Sequence, residues 1–194
     1  CFAQHIAKRL QRGGVHYYQA EPAPASMSAG EAAARQYGVS SCRYGNIYTT
    51  RQLVQLFDRA YGHFKPELDV WKRKDGRFVD PFRPRVEPAG YATEDEVRAA
   101  REEHLAAVRT MFETLDIFVF TFGLTESFRH KADGAVLQLA PGVAGGEWDE
   151  SRYEFWNARV GDVVSDFVAF VDKLRSVNPK ARLIVTVSPV PLVA

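Results

Sequence analysis

The chain has 194 residues, of which 46% are hydrophobic and 25% charged; this is typical of a single globular domain and excludes collagen, coiled coils and wholesale disorder. The 25 basic and 24 acidic residues leave a net charge of +1, so the charge balance does not favour nucleic acid as a partner. Two cysteines cannot form a disulfide framework, no Cys/His spacing fits a metal site, and no apolar run reaches the roughly 18 residues that span a membrane.

The N-terminal third of the chain predicts two helices separated by a long loop. Apolar residues at helical spacing predict a helix over residues 2–10, and a pair of glycines ends it. Residues 15–18 form a short β-type run, and residues 19–43 are rich in Ala, Pro, Ser and Gly, which predicts a long surface loop. Thr49 is predicted to cap a helix over residues 50–61.

The middle of the chain carries two strong local signals. Residues 70–79 predict a β-hairpin, because the Asp-Gly pair within them supplies the positive φ angles of a tight turn. Thr93 followed by Glu96 is a capping box, which satisfies free N–H groups at the start of a helix. That helix is predicted to run to residue 114.

The C-terminal half predicts buried strands and a helix. Residues 116–122 and 182–187 are short and apolar on both faces, as in central parallel strands covered by helices. An amphipathic helix over residues 161–177 lies between them, so strand and helix alternate. This order predicts an α/β protein with three layers, α/β/α, built on a parallel sheet.

Three segments are placed where a parallel sheet binds ligands, at the carboxyl ends of strands or at a helix start. Residues 121–126 break a strand at a glycine and continue into polar residues and a carboxylate, and residues 186–191 leave the last strand. Residues 44–48 lead into the helix capped by Thr49. Glycine permits close backbone approach, and amides at a helix start donate to an anion, so a site at these segments is expected.

Five motifs in order resemble the GSCFA family. Residues 1–3 (CFA) resemble the end of the Gly-Ser-Cys-Phe-Ala signature, and residues 44–53 (YGNIYTTRQL) resemble the second landmark of that family. Residues 80–84 (DPFRP), 120–126 (FTFGLTE) and 186–192 (TVSPVPL) continue the match. The resemblance therefore spans essentially the whole chain.

The GSCFA family is similar to the SGNH (GDSL-like) hydrolases, and that similarity implies a flavodoxin-like sheet of strand order 2-1-3-4-5 and serine-dependent ester chemistry without a metal or organic cofactor. A serine attacks an acyl carbonyl, a histidine takes its proton, and preorganised donors hold the oxyanion. The resemblance places the nucleophile immediately before Cys1 and the histidine beyond Ala194. We therefore expect residues 1–194 to be one domain that is cut at both ends and inactive by itself.

The remaining roles are carried over position by position. Gly45 is the expected glycine donor to the oxyanion, and Thr125 stands where the asparagine of the family pattern usually lies. Because a threonine hydroxyl reaches less far, Asn46 is an alternative donor. The residues expected to contact the substrate are Tyr44, Gly123, Glu126 and Ser188.

The expected function is that of a serine esterase or O-acyltransferase, acting on an acyl ester of an alcohol or sugar. A catalytically silent α/β module that binds a glycan is the alternative, and the Thr125 substitution favours it; a purely structural partner domain is a third. The expected partners are a small-molecule or glycan ester, with no nucleic acid and no membrane span, and the expected location is the cytoplasm.

Other conspicuous side chains are expected to be structural. His104 is predicted to be solvated or locally bonded, Arg83 to lie at the surface, and Cys42 to be buried and inert. The three tryptophans are predicted to be packing anchors rather than a carbohydrate platform; they are Trp71, Trp148 and Trp156.

Overall fold

Helices and short strands are mixed along the chain in the computed structural model, which describes residues 2–188. The helices of this range are α1 (Phe2–Arg12), α2 (Ala29–Ala34), α3 (Thr50–Ala60), α4 (Glu94–Thr114) and α5 (Val160–Val177). The strands are β1 (Trp71–Lys72), β2 (Phe78–Val79), β3 (Ile117–Phe122), β4 (Glu126–His130), β5 (Val136–Leu137), β6 (Tyr153–Asn157) and β7 (Arg182–Val187).

Helices α2, α3 and α4 begin at Ser or Thr capping boxes. At α3, the Thr49 hydroxyl accepts from the Gln52 amide at 3.2 Å, and the Gln52 side chain accepts from the Thr49 amide at 3.1 Å. Thr93 and Glu96 make the same exchange at α4. The predicted starts of both helices are confirmed, and α2 is the helical turn that interrupts the predicted loop over residues 19–43.

The strands form three small ladders. β3 and β7 pair in parallel, in a register that runs from Ile117 opposite Arg182 to Phe122 opposite Val187. β4 pairs antiparallel with β5 on one side and with β6 on the other, and β1 and β2 form the predicted hairpin. Helices mixed with strands, together with a parallel pair, confirm the α/β class in its coarse form.

The prediction of a strand at residues 15–18 is wrong. No β-ladder includes these residues among those the structure describes, and Val15 is 53% exposed. A β-type run becomes a strand only when a neighbour accepts and donates its backbone hydrogen bonds. Instead, the segment is tied to α4 through a side chain, because the Thr114 hydroxyl donates to the Tyr18 hydroxyl at 3.0 Å.

The prediction that β3 and β7 are buried on both faces is also wrong. Phe118, Phe120 and Phe122 pack against the core, but Ile117 is 45% and Ile184 48% exposed. The reason is that the phenylalanines of β3 pack on α4 and α5, for example Phe118 on Phe112 and Phe170, whereas α1 contacts β3 but not β7.

Two apolar clusters hold the described part of the chain together. The larger joins α3, α4, α5 and β3 around the fully buried rings of Phe57, Phe112 and Phe170. The smaller joins the hairpin to the antiparallel ladder and includes Trp71 and Leu137. The segment that contains Tyr44 packs on the larger cluster, so the loop before α3 is seated on the core.

Candidate functional site

The loop that leads into α3 turns at Gly45, which has a φ of +70°. Glycine is suited to this left-handed conformation, since other L-residues pay about 1–2 kcal/mol to adopt it. A Cβ at this position would lie 2.6 Å from Oε1 of Gln138, so the end of that side chain would have to move. The turn therefore needs glycine for its backbone angle, and a larger residue would also displace Gln138.

Three consecutive backbone amides in this turn have no acceptor. Within residues 2–188, no hydrogen bond is made by the N–H groups of Gly45, Asn46 or Ile47. The next amide, that of Tyr48, donates to the Gln52 side chain at 2.9 Å. Adjacent free amides in a turn form a concave donor surface that suits an anion or an oxyanion.

The turn borders a groove of about 680 Å³. Gly45, Asn46 and Thr121 supply polar parts of its lining. Its walls are mainly apolar and come from three helices and two strands; they include Ile6, Leu10, Leu53, Leu56, Phe118, Phe120 and Ile184. A large apolar cleft with a few polar groups at its edge is the usual form of a ligand site.

Backbone contacts bring the three sequence-predicted segments together. The Tyr48 carbonyl accepts from the amides of Gly123 at 3.3 Å and Leu124 at 3.1 Å. The Ser188 amide in turn donates to the Phe122 carbonyl at 2.8 Å, which puts the end of β7 beside the end of β3. Residues separated by up to 140 positions in sequence therefore meet at one place, although residues 189–192 of the last motif lie outside the described range.

Thr125 and Glu126 stand on the other side of the Gly123 turn, at the start of β4. Among the described residues they are not part of the groove lining, and the Thr125 carbonyl accepts from the Ala158 amide at 2.9 Å. The structure therefore places Gly45 and Asn46 at the groove, whereas Thr125 lies outside it, between the Gly123 turn and β4.

Within residues 2–188, six buried side-chain N or O atoms have no hydrogen-bond partner; three of them belong to or adjoin these segments, and the other three are on Asp58, Trp71 and Arg83. In the part of the chain that the structure describes, Thr50 Oγ1, Glu126 Oε2 and Ser127 Oγ are buried without a hydrogen-bond partner. Thr50 is the first residue of α3, and the other two begin β4. Because a buried polar atom without a partner costs about 1–3 kcal/mol, such atoms mark places where a polar ligand or ordered water belongs.

The prediction that His104 is solvated is wrong. His104 is 1% exposed, and its Nδ1 lies 2.7 Å from Oε2 of Glu21. Burial, reinforced by the nearby Arg83 charge, lowers the pKa of His104 to about 4. The imidazole is therefore neutral at pH 7 and donates its Nδ1 proton to the carboxylate. Sequence spacing missed this contact because the partners are 83 positions apart and Glu21 lies in the long loop.

The prediction that Arg83 lies at the surface is wrong as well. Arg83 is 2% exposed, and its Nε donates to Asp80 Oδ2 at 3.3 Å. Although burial works in the opposite direction, the charges of Arg101, Arg59 and Arg83 lower the pKa of Asp80 to about 2. These buried charged residues, together with His104, form a cluster that packs against the loop before α3, where the His104 ring lies 6.3 Å from the ring of Tyr44.

The tryptophans and Cys42 have different surroundings. Trp71 is 4% exposed and Cys42 1%, so both are buried as predicted, and burial raises the pKa of the Cys42 thiol. Trp148 packs on Phe128 but stays 44% exposed, so it is an anchor only in part. Trp156 is half-buried, with the guanidinium of Arg51 at 5.3 Å from its ring centroid.

Gln138 is the residue of this region that sequence reasoning missed. Its side chain donates to the Tyr44 carbonyl and lies against the α-carbon of Gly45. A lone glutamine in a loop 93 positions away carries no sequence signal of such a role. In the range 2–188, no three His, Cys, Asp or Glu side chains are grouped as metal ligands, and no helix is long and apolar enough to cross a membrane.

Comparison with known proteins gives one match. No curated protein and no solved structure matches the chain. The model of the GSCFA family matches residues 1–194, and the chain therefore belongs to the GSCFA family.

Proposed function

We propose that this chain carries the oxyanion side of an SGNH-like serine esterase or O-acyltransferase, whose substrate is an acyl ester of an alcohol or sugar. The observation that carries the proposal is the row of free amides at Gly45, Asn46 and Ile47 beside the groove. A tetrahedral intermediate of acyl transfer bears its negative charge on oxygen, and preorganised amides stabilise that charge without reorganisation.

The proposed reaction follows the serine-hydrolase scheme. A serine immediately before Cys1 attacks the acyl carbonyl carbon, and a histidine beyond Ala194 takes the hydroxyl proton. The carbonyl oxygen becomes an oxyanion that accepts from the Gly45 amide and from Asn46, both of which line the groove. When the tetrahedral intermediate collapses, the histidine returns the proton to the leaving alcohol, and water or a sugar hydroxyl then accepts the acyl group.

We also propose the finer, flavodoxin-like sheet, in which one more parallel strand pairs with the free edge of β3. The Arg182 amide donates to the Asp116 carbonyl, and the Ser188 amide donates to the Phe122 carbonyl. Every second residue of β3 therefore directs its backbone groups toward β7. The residues between them turn their backbone groups to the other edge, which within residues 2–188 has no partner. The groove runs along this edge, so the added strand would fill much of its apolar length, and the substrate would bind at the end near Gly45 and Asn46. The strand would lead into α1, which places the serine at the positive end of that helix.

A catalytically silent module that binds a glycan is the second candidate. Two observations favour it: Thr125 replaces the usual asparagine, and two aromatic rings near β4 are open to solvent. Phe155 is 59% and Trp148 44% exposed, and exposed aromatic rings of this kind stack on sugar rings.

A fluorophosphonate probe separates the two candidates. We expect the protein with its flanking sequence to be labelled at the serine. Thr125→Val is expected to be labelled at the wild-type rate, because Thr125 is not among the described residues that line the groove. A loss of about 100-fold would instead make its hydroxyl an oxyanion donor. Thr110→Val is the matched control, because its hydroxyl donates to the Ala106 carbonyl on an exposed face of α4. A protein that is not labelled but retains glycan binding would overturn the enzyme proposal and support the silent module.

A further inference from the structure

The turn that carries the free amides is fastened at both of its ends. At the N-terminal end, the side chain of Gln138 donates to the carbonyl of Tyr44. At the C-terminal end, the Tyr48 amide donates to Gln52 at 2.9 Å, and the Tyr48 carbonyl accepts two amides from the Gly123 turn. The unbonded amides lie between these two attachments.

We infer that Gln138 is a positioning residue that orients the Gly45 amide toward the reacting carbonyl oxygen. This inference rests on the proposed function of the turn. Gln138 acts through Tyr44 and Gly45 and does not itself need to touch the substrate. Its side chain makes a hydrogen bond to the residue before the glycine and closes off the space that a Cβ at Gly45 would fill.

The physical argument concerns preorganisation. A free amide stabilises an oxyanion only if it already points at the place where the charge develops, and a misplacement of about 1 Å costs on the order of 100-fold in rate. A glycine turn is conformationally permissive, so its amides keep one direction only when neighbouring groups fix the peptide planes. Gln138 fixes the plane between Tyr44 and Gly45, because it holds the oxygen of that peptide while the nitrogen of the same peptide is the free donor.

The turn has no other attachment of this kind at its N-terminal end. Within the described residues, the Tyr44 carbonyl accepts only from Gln138. The Gln138 side chain also lines a small cavity of about 20 Å³ behind the turn, which it shares with His104 and Arg83. The buried charged cluster and the turn therefore meet at this side chain.

Gln138→Met tests the inference, because methionine keeps the length of the side chain and removes the donor. We expect the variant to react with a fluorophosphonate about 10- to 100-fold more slowly. We also expect the NMR order parameter of the Gly45 amide to fall from about 0.85 to below about 0.6. The second readout needs no reaction, and a purely structural role in the fold would not change it selectively.

Gln55→Met is the matched control. Gln55 also bonds backbone groups of the β5 region, at 2.8 Å to the Gly134 carbonyl and 2.8 Å to the Val136 amide, but within the described residues its side chain makes no hydrogen bond to the Gly45 turn. We expect it to lower the melting temperature and to leave the labelling rate and the Gly45 order parameter unchanged. Equal losses of labelling in both variants would overturn the inference, because they would reflect general destabilisation.

Two further outcomes are decisive. An unchanged labelling rate and order parameter in Gln138→Met would refute the positioning role. If the methionine variant does not fold, the same measurements are made on Gln138→Glu, which also lacks the donor. A wild-type protein that does not react at all would overturn the proposed function. In that case, a rigid Gly45 amide that Gln138→Met loosens would still establish that Gln138 orders the turn.

Discussion

Acid is expected to destabilise the protein through one buried imidazole, that of His104. Burial lowers the pKa of His104 to about 4, from an ordinary value of 6.5 in the unfolded chain. Above pH 6.5 the imidazole is neutral in both states. As the pH falls from 6.5 towards 4, the unfolded chain binds a proton that the folded protein does not bind, so the free energy of unfolding decreases. The gap between the two pKa values corresponds to about 3 kcal/mol at about 1.36 kcal/mol per unit.

Urea unfolding at about pH 8 and about pH 4.5 measures this loss, since linear extrapolation gives the free energy of unfolding at each pH. We expect His104→Gln, which cannot be protonated and keeps a donor for Glu21, to remove most of the pH dependence in this range. His63→Gln is the control, because the His63 side chain is 60% exposed. An NMR titration that puts the His104 pKa at or above 6.5 would refute the reasoning, since the attraction of Glu21 would then outweigh burial.

Two substitution pairs test the site and its support by thermal and urea unfolding. Gly45→Ala is expected to lower the free energy of unfolding more than Gly62→Ala. Both glycines have a positive φ, which costs alanine about 1–2 kcal/mol, but only at Gly45 would the new Cβ also lie against Gln138. Equal losses would contradict the close contact. Arg83→Met is expected to cost about 1–3 kcal/mol, because it removes a buried hydrogen-bond donor from Asp80 and leaves that carboxylate to Arg101. Arg98→Met, whose side chain is 41% exposed, is expected to cost less than about 1 kcal/mol. Similar losses at the two arginines would show that the Arg83 cluster is not a buried unit.

Local signals predicted the helices and the hairpin because their causes lie within a few residues. Thr49 and Thr93 each find their capping partner three positions later, and the hairpin turns at Gly76, with a φ of +82°. These arrangements form whatever the rest of the chain does. The same reasoning predicted α5, whose apolar spacing is regular.

Predictions that depended on distant partners were less accurate. The sequence of β7 is apolar enough for a covered strand, yet Val187 is 75% exposed, because burial depends on which elements lie above and below. His104 looked like a solvated helix residue, since its partner Glu21 lies in a loop with no periodicity. Long-range pairs of this kind leave no trace in local spacing.

The candidate site was predicted only in part, because some of its contacts are also long-range. Gly45 and Gly123 carry motif signals, and the structure brings their segments into contact through Tyr48. Gln138 carries no motif signal, because a single amide side chain is common in loops. Its role depends on the three-dimensional approach of two loops and is visible only there.

The contact between the Gly45 turn and the Gly123 turn, called the joint below, also affects which amino-acid substitutions the protein tolerates. It consists of main-chain atoms: the carbonyl of Tyr48 and the amides of Gly123 and Leu124. Replacing the side chain at position 48 or 124 leaves these atoms in place, and among the ordinary substitutions proline at 123 or 124 would delete a donor outright. The relative placement of the two turns is thus insulated from most exchanges at positions 48 and 124, but not at 123, where a Cβ would lie 3.2 Å from the Tyr48 carbonyl oxygen. Side chains at 48 and 124 are therefore free to diversify and accommodate different ligands while the joint keeps its geometry.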